Sequence, residues 1–261
     1  MHPSALVFLR FLQRDIYSYR QRVYTYLINY AVIYPVLYAF AIGYLQSNSY
    51  FGNNPLQGSS LLIGHLLIII IVFANMLNIG LLFDFENHRF IDYQVTLLNP
   101  RLILLERILF ASIFTFAISM PFFPIAKLVL GDAFVTTQTS WLKTFLMLFV
   151  SSLFCATYTQ FMVCIIPNSR KLRSYWMRIN FVLNTLGGLF IPWYVINKLS
   201  LTLGSIALIN PLLYITEGLR QSILAQPEYL PFWLCICMLL IFAIAFTLLS
   251  FHFFKKRVDH I

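Results

Sequence analysis

Six apolar runs, each about long enough to cross a bilayer and parted by short basic breaks, restrict this chain more than any other feature. A helix needs about 20 predominantly apolar residues to traverse the hydrocarbon core. Such runs lie at Val23–Leu45, Ser60–Phe83, Leu102–Leu130, Trp141–Ile166, Tyr175–Ile196 and Leu230–Phe254. The expected fold is therefore an all-α integral membrane protein with six transmembrane helices. Composition agrees: the chain is 60% hydrophobic and 10% charged, where a soluble domain typically carries about 25% charged residues. No ordinary core hides that much apolar surface, so lipid must solvate the excess. The third run is overlong and contains Pro121 and Pro124, which predicts a kink or an irregular end.

Orientation follows from the 18 lysines and arginines. Arg10, Arg14, Arg20 and Arg22 precede the first run, and Arg89, Arg101 and Arg107 border the connection from the second to the third. Arg170, Lys171, Arg173 and Arg178 border the connection from the fourth to the fifth, and Lys255, Lys256 and Arg257 lie in the tail. Only Lys127, Lys143, Lys198 and Arg220 fall on the other side. The basic side is the cytoplasmic one by the positive-inside rule, which predicts a multi-pass protein of the cell (inner) membrane with both termini inside. The net charge of +9 is spread over these breaks and forms no soluble basic patch, so lipids are expected partners and nucleic acid is not. The Met-His-Pro-Ser start does not read as a cleaved signal, so the first span is expected to serve as its own insertion signal. Three parts are expected: an interfacial helix at 1–22, a transmembrane domain of six spans at 23–254 and a basic tail at 255–261.

Three segments are too polar or too short to be spans. In Ala5–Arg22, the residues Ala5, Phe8, Leu9, Leu12, Ile16 and Tyr19 recur at helical spacing, with Arg10, Gln13, Arg14 and Gln21 on the other face. That predicts an amphipathic helix in the membrane interface, its apolar stripe in lipid and Arg10 and Arg14 near headgroups, either as an anchor or as a docking or gating element. In Asp84–Pro100, the acids Asp84, Glu86 and Asp92 outnumber the single base Arg89. Acids on the basic side need a reason beyond topology: either a short helix offering charges and aromatics to a cytoplasmic partner or a solvated loop. In Leu199–Gln226, Asn210-Pro211 suits a helix start, since Asn caps well and Pro fits the first turn. Leu212, Ile215, Leu219 and Ile223 then share a face opposite Glu217, Arg220 and Gln221. A helix of some 15 residues measures only about 22 Å, so it dips into the membrane or lies on it, and Glu217 and Arg220 are spaced to pair. Gly187-Gly188 and Pro192 loosen the chain just upstream.

The stretch LGGLFIPWYVI followed by INPLLYITEGLR, within Leu186–Arg220, is similar to the Gly-Gly-aromatic-Pro region and the Asn-Pro-Leu-x-Tyr…Glu-x-Leu-Arg signature of one family. With the six runs and the N-terminal helix, the chain resembles the type-2 permease family of ATP-binding-cassette exporters. The resemblance implies a dimer with a second permease copy or paralogue, two cytoplasmic ATPase subunits beneath it, and ATP and Mg bound on those partners only. It implies that Asp84, Glu86, Arg89 and Asp92 belong to the ATPase-coupling loop. The family's Glu-x-x-Gly-Thr run is matched loosely by Glu86 and Thr96-Leu97-Leu98-Asn99-Pro100, and the Gly-Thr pair is missing. It further implies outer re-entrant helices between spans five and six, carrying Asn210, Pro211, Tyr214, Glu217 and Arg220. The expected function is the permease subunit of an exporter of an amphiphile, such as a lipid, a lipid-linked glycan or a drug.

Within the first run Tyr26, Tyr30, Tyr34 and Tyr38 recur every four residues and sweep one broad face. They read either as a pathway lining or as helix packing with bonded hydroxyls. Asn29, Asn75, Asn78, Asn180 and Asn184 read as interhelical hydrogen bonders, and Glu106 and Arg107 as charges that snorkel to the interface. The four cysteines fall in apolar runs and read as small core residues. No G-x-x-x-x-G-K-[ST] pattern is present and the five histidines are scattered, so neither nucleotide hydrolysis nor a metal site is expected on this chain. A stand-alone secondary transporter or channel is the alternative; it would usually need a charge or ion site at mid-span, and the spans hold hardly any.

Overall fold

The computed structural model describes residues 3–47, 55–86, 96–131, 134 and 139–258, and all its regular elements are helical. The chain opens with α1 (Pro3–Tyr26), a π-helical segment (Leu27–Ile33) and α2 (Tyr34–Ser47), without a break between them. The N-terminal helix runs directly into the first candidate span, which begins at Tyr24. Pro35 accounts for the π segment: it has no N–H to offer, and Tyr34 N bonds Asn29 O, five residues back.

Next comes α3 (Pro55–Glu86), which crosses in one unbroken rod. Asn99 caps α4 (Pro100–Ser119) by accepting from Arg101 N at 3.0 Å, with Pro100 in the first turn. The expected interruption of the third run falls at Met120-Pro121, after which α5 (Phe122–Leu130) ends at Gly131, φ 56°. α6 (Trp141–Ile165) is the central helix, packed on α3 and α4 and on two later helices, α10 (Pro211–Leu224) and α11 (Phe232–Val258). Asn78 of α3 donates to Ala156 O at 3.0 Å and Thr159 Oγ1 at 2.7 Å of α6, an interhelical bond of the kind expected.

Among the described residues, five segments are long and apolar enough to cross a membrane: Tyr24–Ile42, Gly58–Glu86, Pro100–Leu130, Trp141–Ile165 and Phe232–Arg257. The fifth expected run, Tyr175–Ile196, is not among them. Its helix, α7, spans Ser169–Leu186, starting earlier because Asn168 accepts from Lys171 N at 2.9 Å. It stops earlier because Gly187 and Gly188 follow, the latter at φ 74°. Two short helices, α8 (Trp193–Leu199) and α9 (Leu201–Ala207), then lead into α10.

Both ends of α7 are nonetheless fixed beside α3. At one end Ser169 N donates to Glu86 Oε1 at 2.6 Å; at the other, Arg220 bridges Ser60 O and Gly188 O. Along its length Tyr158 Oη of α6 donates to Asn180 Oδ1 at 3.0 Å. α7 thus runs from the end where α3 finishes to the end where α3 begins. The helix ends Glu86, Ile165, Ser169 and Val258 gather at one face, called here the basic face; Ser60, Gly188 and Arg220 mark the opposite face.

Close approach at the opposite face depends on Gly64, where an added Cβ would sit 2.1 Å from Leu189 O. Gly64→Ala is expected to destabilise the protein by roughly 1–3 kcal/mol. Gly80→Ala, whose Cβ would meet Tyr19 Oη at 3.4 Å, should cost less. Thermal unfolding of the two purified variants in detergent tests this order.

Candidate functional sites at the two faces

At the opposite face the site is built on α10. Asn210 starts this helix, accepting from Leu212 N at 3.0 Å while its Nδ2 donates to Leu183 O at 2.6 Å. Fourteen residues at 1.5 Å each give about 21 Å. Every residue from Pro211 to Arg220 is buried, so the helix lies inside the bundle and not on a surface. Its apolar residues pack into the core, and the polar pair Glu217 and Arg220 is wholly enclosed too, each 0% exposed.

Arg220 Nη1 donates to Glu217 Oε1 at 3.1 Å, Nε to Ser60 O at 3.2 Å and Nη2 to Gly188 O at 2.5 Å. Glu217 also accepts from Trp193 N at 3.0 Å and from Leu230 N at 3.5 Å. The pair therefore ties α10 to α3, to the Gly187–Pro192 turn, to the start of α8 and to the lead-in of α11. Thr216 Oγ1 donates to Gly187 O at 2.8 Å, and Tyr214 Oη to Leu208 O at 2.7 Å. A buried ion pair offsets its desolvation cost only with such further hydrogen bonds, and here both partners have them.

The second cluster lies nearer the basic face, where α1 covers α3 and α4. Asp84 pairs with Arg107, and Arg14 pairs with its neighbour Asp15. Glu106 and Arg107 are buried, 2% and 8% exposed, and so do not snorkel as expected. The reason is α1, which lies over α4 and bonds Tyr19 Oη to Leu77 O at 3.2 Å. α1 presents one side to this cluster and leaves the rest uncovered. Leu9 and Ile16 are exposed and Arg10 points outward, whereas Asp15 is buried and Arg14 half-buried over the Phe11 ring. Arg14, Asp15, Tyr19, Asp84 and Arg107 line a polar cavity of about 540 Å³.

A third group secures the basic face. Arg257 of α11 donates to Val163 O, Ile166 O and Pro167 O at 2.8–3.2 Å and stacks over Phe85, 3.9 Å from the ring centroid. It thereby satisfies carbonyls that the end of α6 leaves open.

The tyrosines of the first run form a chain of rings: Tyr26–Tyr30 at 6.4 Å, Tyr30–Tyr34 at 5.2 Å and Tyr34–Tyr38 at 6.3 Å between centroids. His65 continues it, 4.8 Å from Tyr38 and 5.8 Å from Phe190. The π segment widens the turn past four residues, which offsets the drift that an α-helix would give this spacing. Tyr30 Oη bonds Met76 Sδ at 2.9 Å, whereas Tyr34 is 40% exposed.

The sequence profile of the ABC-2 type transporter family matches residues 7–224, most of the chain and all of the elements just described up to the end of α10. The chain belongs to this family. It is a multi-pass membrane protein and an ABC transporter permease subunit, of a class that works with ABC ATPase partners. No curated protein and no solved structure gave a match.

Within this ABC-2 permease the expected coupling residues divide. Asp84 and Glu86 end α3, the first held by Arg107 and the second on the N-terminus of α7; Arg89 and Asp92 lie outside the described residues. Asp15, Arg107 and Arg257 were not foreseen as organising residues. An acid amid the N-terminal arginines was the available signal for Asp15; nothing local marks Arg257, whose partners lie some 90 residues away. Among the described residues no group of His, Cys, Asp and Glu is placed to hold a metal.

Arg220→Met leaves Glu217 charged and buried and frees two carbonyls, so a loss of about 3–5 kcal/mol is expected. Glu217→Gln, which keeps an acceptor for Trp193 N, should lose less, and thermal unfolding in detergent separates the two.

Proposed function

We propose that this permease is a six-span half of an exporter that moves an amphiphilic substrate out of the cytoplasm or the inner leaflet, driven by ATPase subunits on separate chains. The observation that carries this reading is the ABC-2 match over 7–224, combined with the path of α7. α7 carries too many bases to qualify as a span by composition, yet one end is bonded to the end of α3 and the other is held to the start of α3 through Arg220. Counting it as the sixth crossing puts both termini on the basic face, and the basic face is the cytoplasmic one by the positive-inside rule. α8 to α10 then form the outer re-entrant element, with the Glu217–Arg220 pair closing it.

In this arrangement the loop after Glu86 faces the cytoplasm and receives the ATPase. Asp84 and Glu86 act as positioning residues: they connect that loop to α4 through Arg107 and to α7 through its N-terminus. A second permease copy or a paralogue completes the pore, and this chain itself hydrolyses no nucleotide. The tyrosine row lines the pathway, with Tyr34 as the member whose ring is most open.

The test is co-expression with the candidate ATPase and purification of the assembly. The ATPase is expected to co-purify, and Glu86→Ala is expected to lower ATP-driven transport while leaving the assembly intact. Failure of any ABC ATPase to associate with the chain would overturn the reading. In the same assay Tyr34→Phe should slow transport severalfold, and Tyr30→Phe, whose hydroxyl serves Met76, should slow it less.

A further inference from the structure

Toward the basic face α3 and α7 flank a cleft of about 540 Å³ lined by Asn75, Ile79 and Phe83 on one side and by Arg170, Arg173 and Trp176 on the other. Three properties of this cleft and of the α7 surface beside it point the same way. First, Arg170 and Arg173 are exposed, and neither forms an ion pair with any described acid. Lys171 and Arg178 add further positive charge to the same helix. Guanidinium groups of this kind fit phosphate through paired, charge-assisted hydrogen bonds.

Second, the chemistry changes along the helix. Arg173, Met177 and Phe181 stand at successive steps of four, which places them in one row. Met177 and Phe181 are 65% and 71% exposed, so the row passes from cation to bare apolar surface over about 12 Å. That sequence of charge then hydrocarbon matches a headgroup continued by an acyl chain, and an indole such as Trp176 suits the boundary between the two. Third, the carboxamide oxygen of Asn75 is buried in the cleft wall without a described partner. It offers an acceptor to a headgroup hydroxyl.

We infer that the α3–α7 cleft binds a phosphate-bearing lipid whose headgroup also carries a hydroxyl, with Arg170 and Arg173 on the phosphate and the acyl chain along Met177 and Phe181. This rests on the exporter reading only for the statement that the cleft faces the cytoplasmic leaflet. It adds to that reading a site for an anionic amphiphile, as cargo or as a resident lipid.

The full chain in neutral detergent is titrated with dioctanoyl phosphatidylglycerol, dioctanoyl phosphatidylcholine and glycerol phosphate, and bound ligand is counted by native mass spectrometry. Phosphatidylglycerol is expected to bind at least tenfold more tightly than the other two. Arg170→Gln/Arg173→Gln is expected to remove that preference, Arg173→Lys to retain part of it, and Lys255→Gln/Lys256→Gln in the tail to leave it unchanged. A brominated acyl chain should quench indole fluorescence in the wild type, and Trp176→Phe should remove most of that quenching. Equal affinity for phosphatidylcholine, or for glycerol phosphate, overturns the inference. So does a double variant that keeps its lipid preference while losing the ATPase, which would assign these arginines to a protein partner. Lipid selectivity and ATPase association are separate readouts, so either reading can fail while the other stands.

Discussion

The bundle is organised by one buried guanidinium. Arg220 has no water to turn to, and neither do the carbonyls of Ser60 and Gly188 or the carboxylate of Glu217. Each of these groups, left alone in a low-dielectric interior, would cost several kcal/mol. Together they satisfy one another, and in doing so they determine where the chain can break its helices. The Gly187–Pro192 turn can leave helical geometry only because Arg220 and Thr216 take up its carbonyls. α10 can stop short of the membrane thickness only because its polar side is enclosed by α3 and that turn.

Much of this was legible in the sequence, and the parts that were not share a cause. Hydropathy located five crossings to within a few residues, the Met120-Pro121 interruption and the Asn210-Pro211 start of α10. Those are local signals, carried by period, length and proline. The spacing of Glu217 and Arg220 also made their pairing readable. What could not be read was which face of a helix another helix covers. Glu106 and Arg107 looked free to reach the interface because nothing nearby in sequence says that α1 lies across them. On α1 the acid Asp15, set among arginines, was the only hint of an inward polar edge.

α7 illustrates the opposite limit. Its composition argues against a span, because bases occupy its first three turns and depress its apolarity. Its ends argue for one, because one is bonded to the last residue of α3 and the other is bridged to the start of α3 by Arg220. Composition measures only the solvent that a helix prefers on average, whereas the bonds at Ser169 and Gly188 record where the helix is. A charged helix in such a place needs compensation. The bases lie toward the basic face, where headgroups and water are within reach, and the apolar residues toward the interior.

The two attachments of α7 to α3 also have a kinematic meaning. A pair of rods joined at two separated points cannot slide or splay independently; the one inexpensive relative motion left to them is a roll about the line through both joints. Such a roll would alter the width of the space between them while leaving both ends in register. The joints at Glu86 and Gly188 would keep their register in such a roll, so the change would fall in the gap between the two helices rather than in their length or tilt.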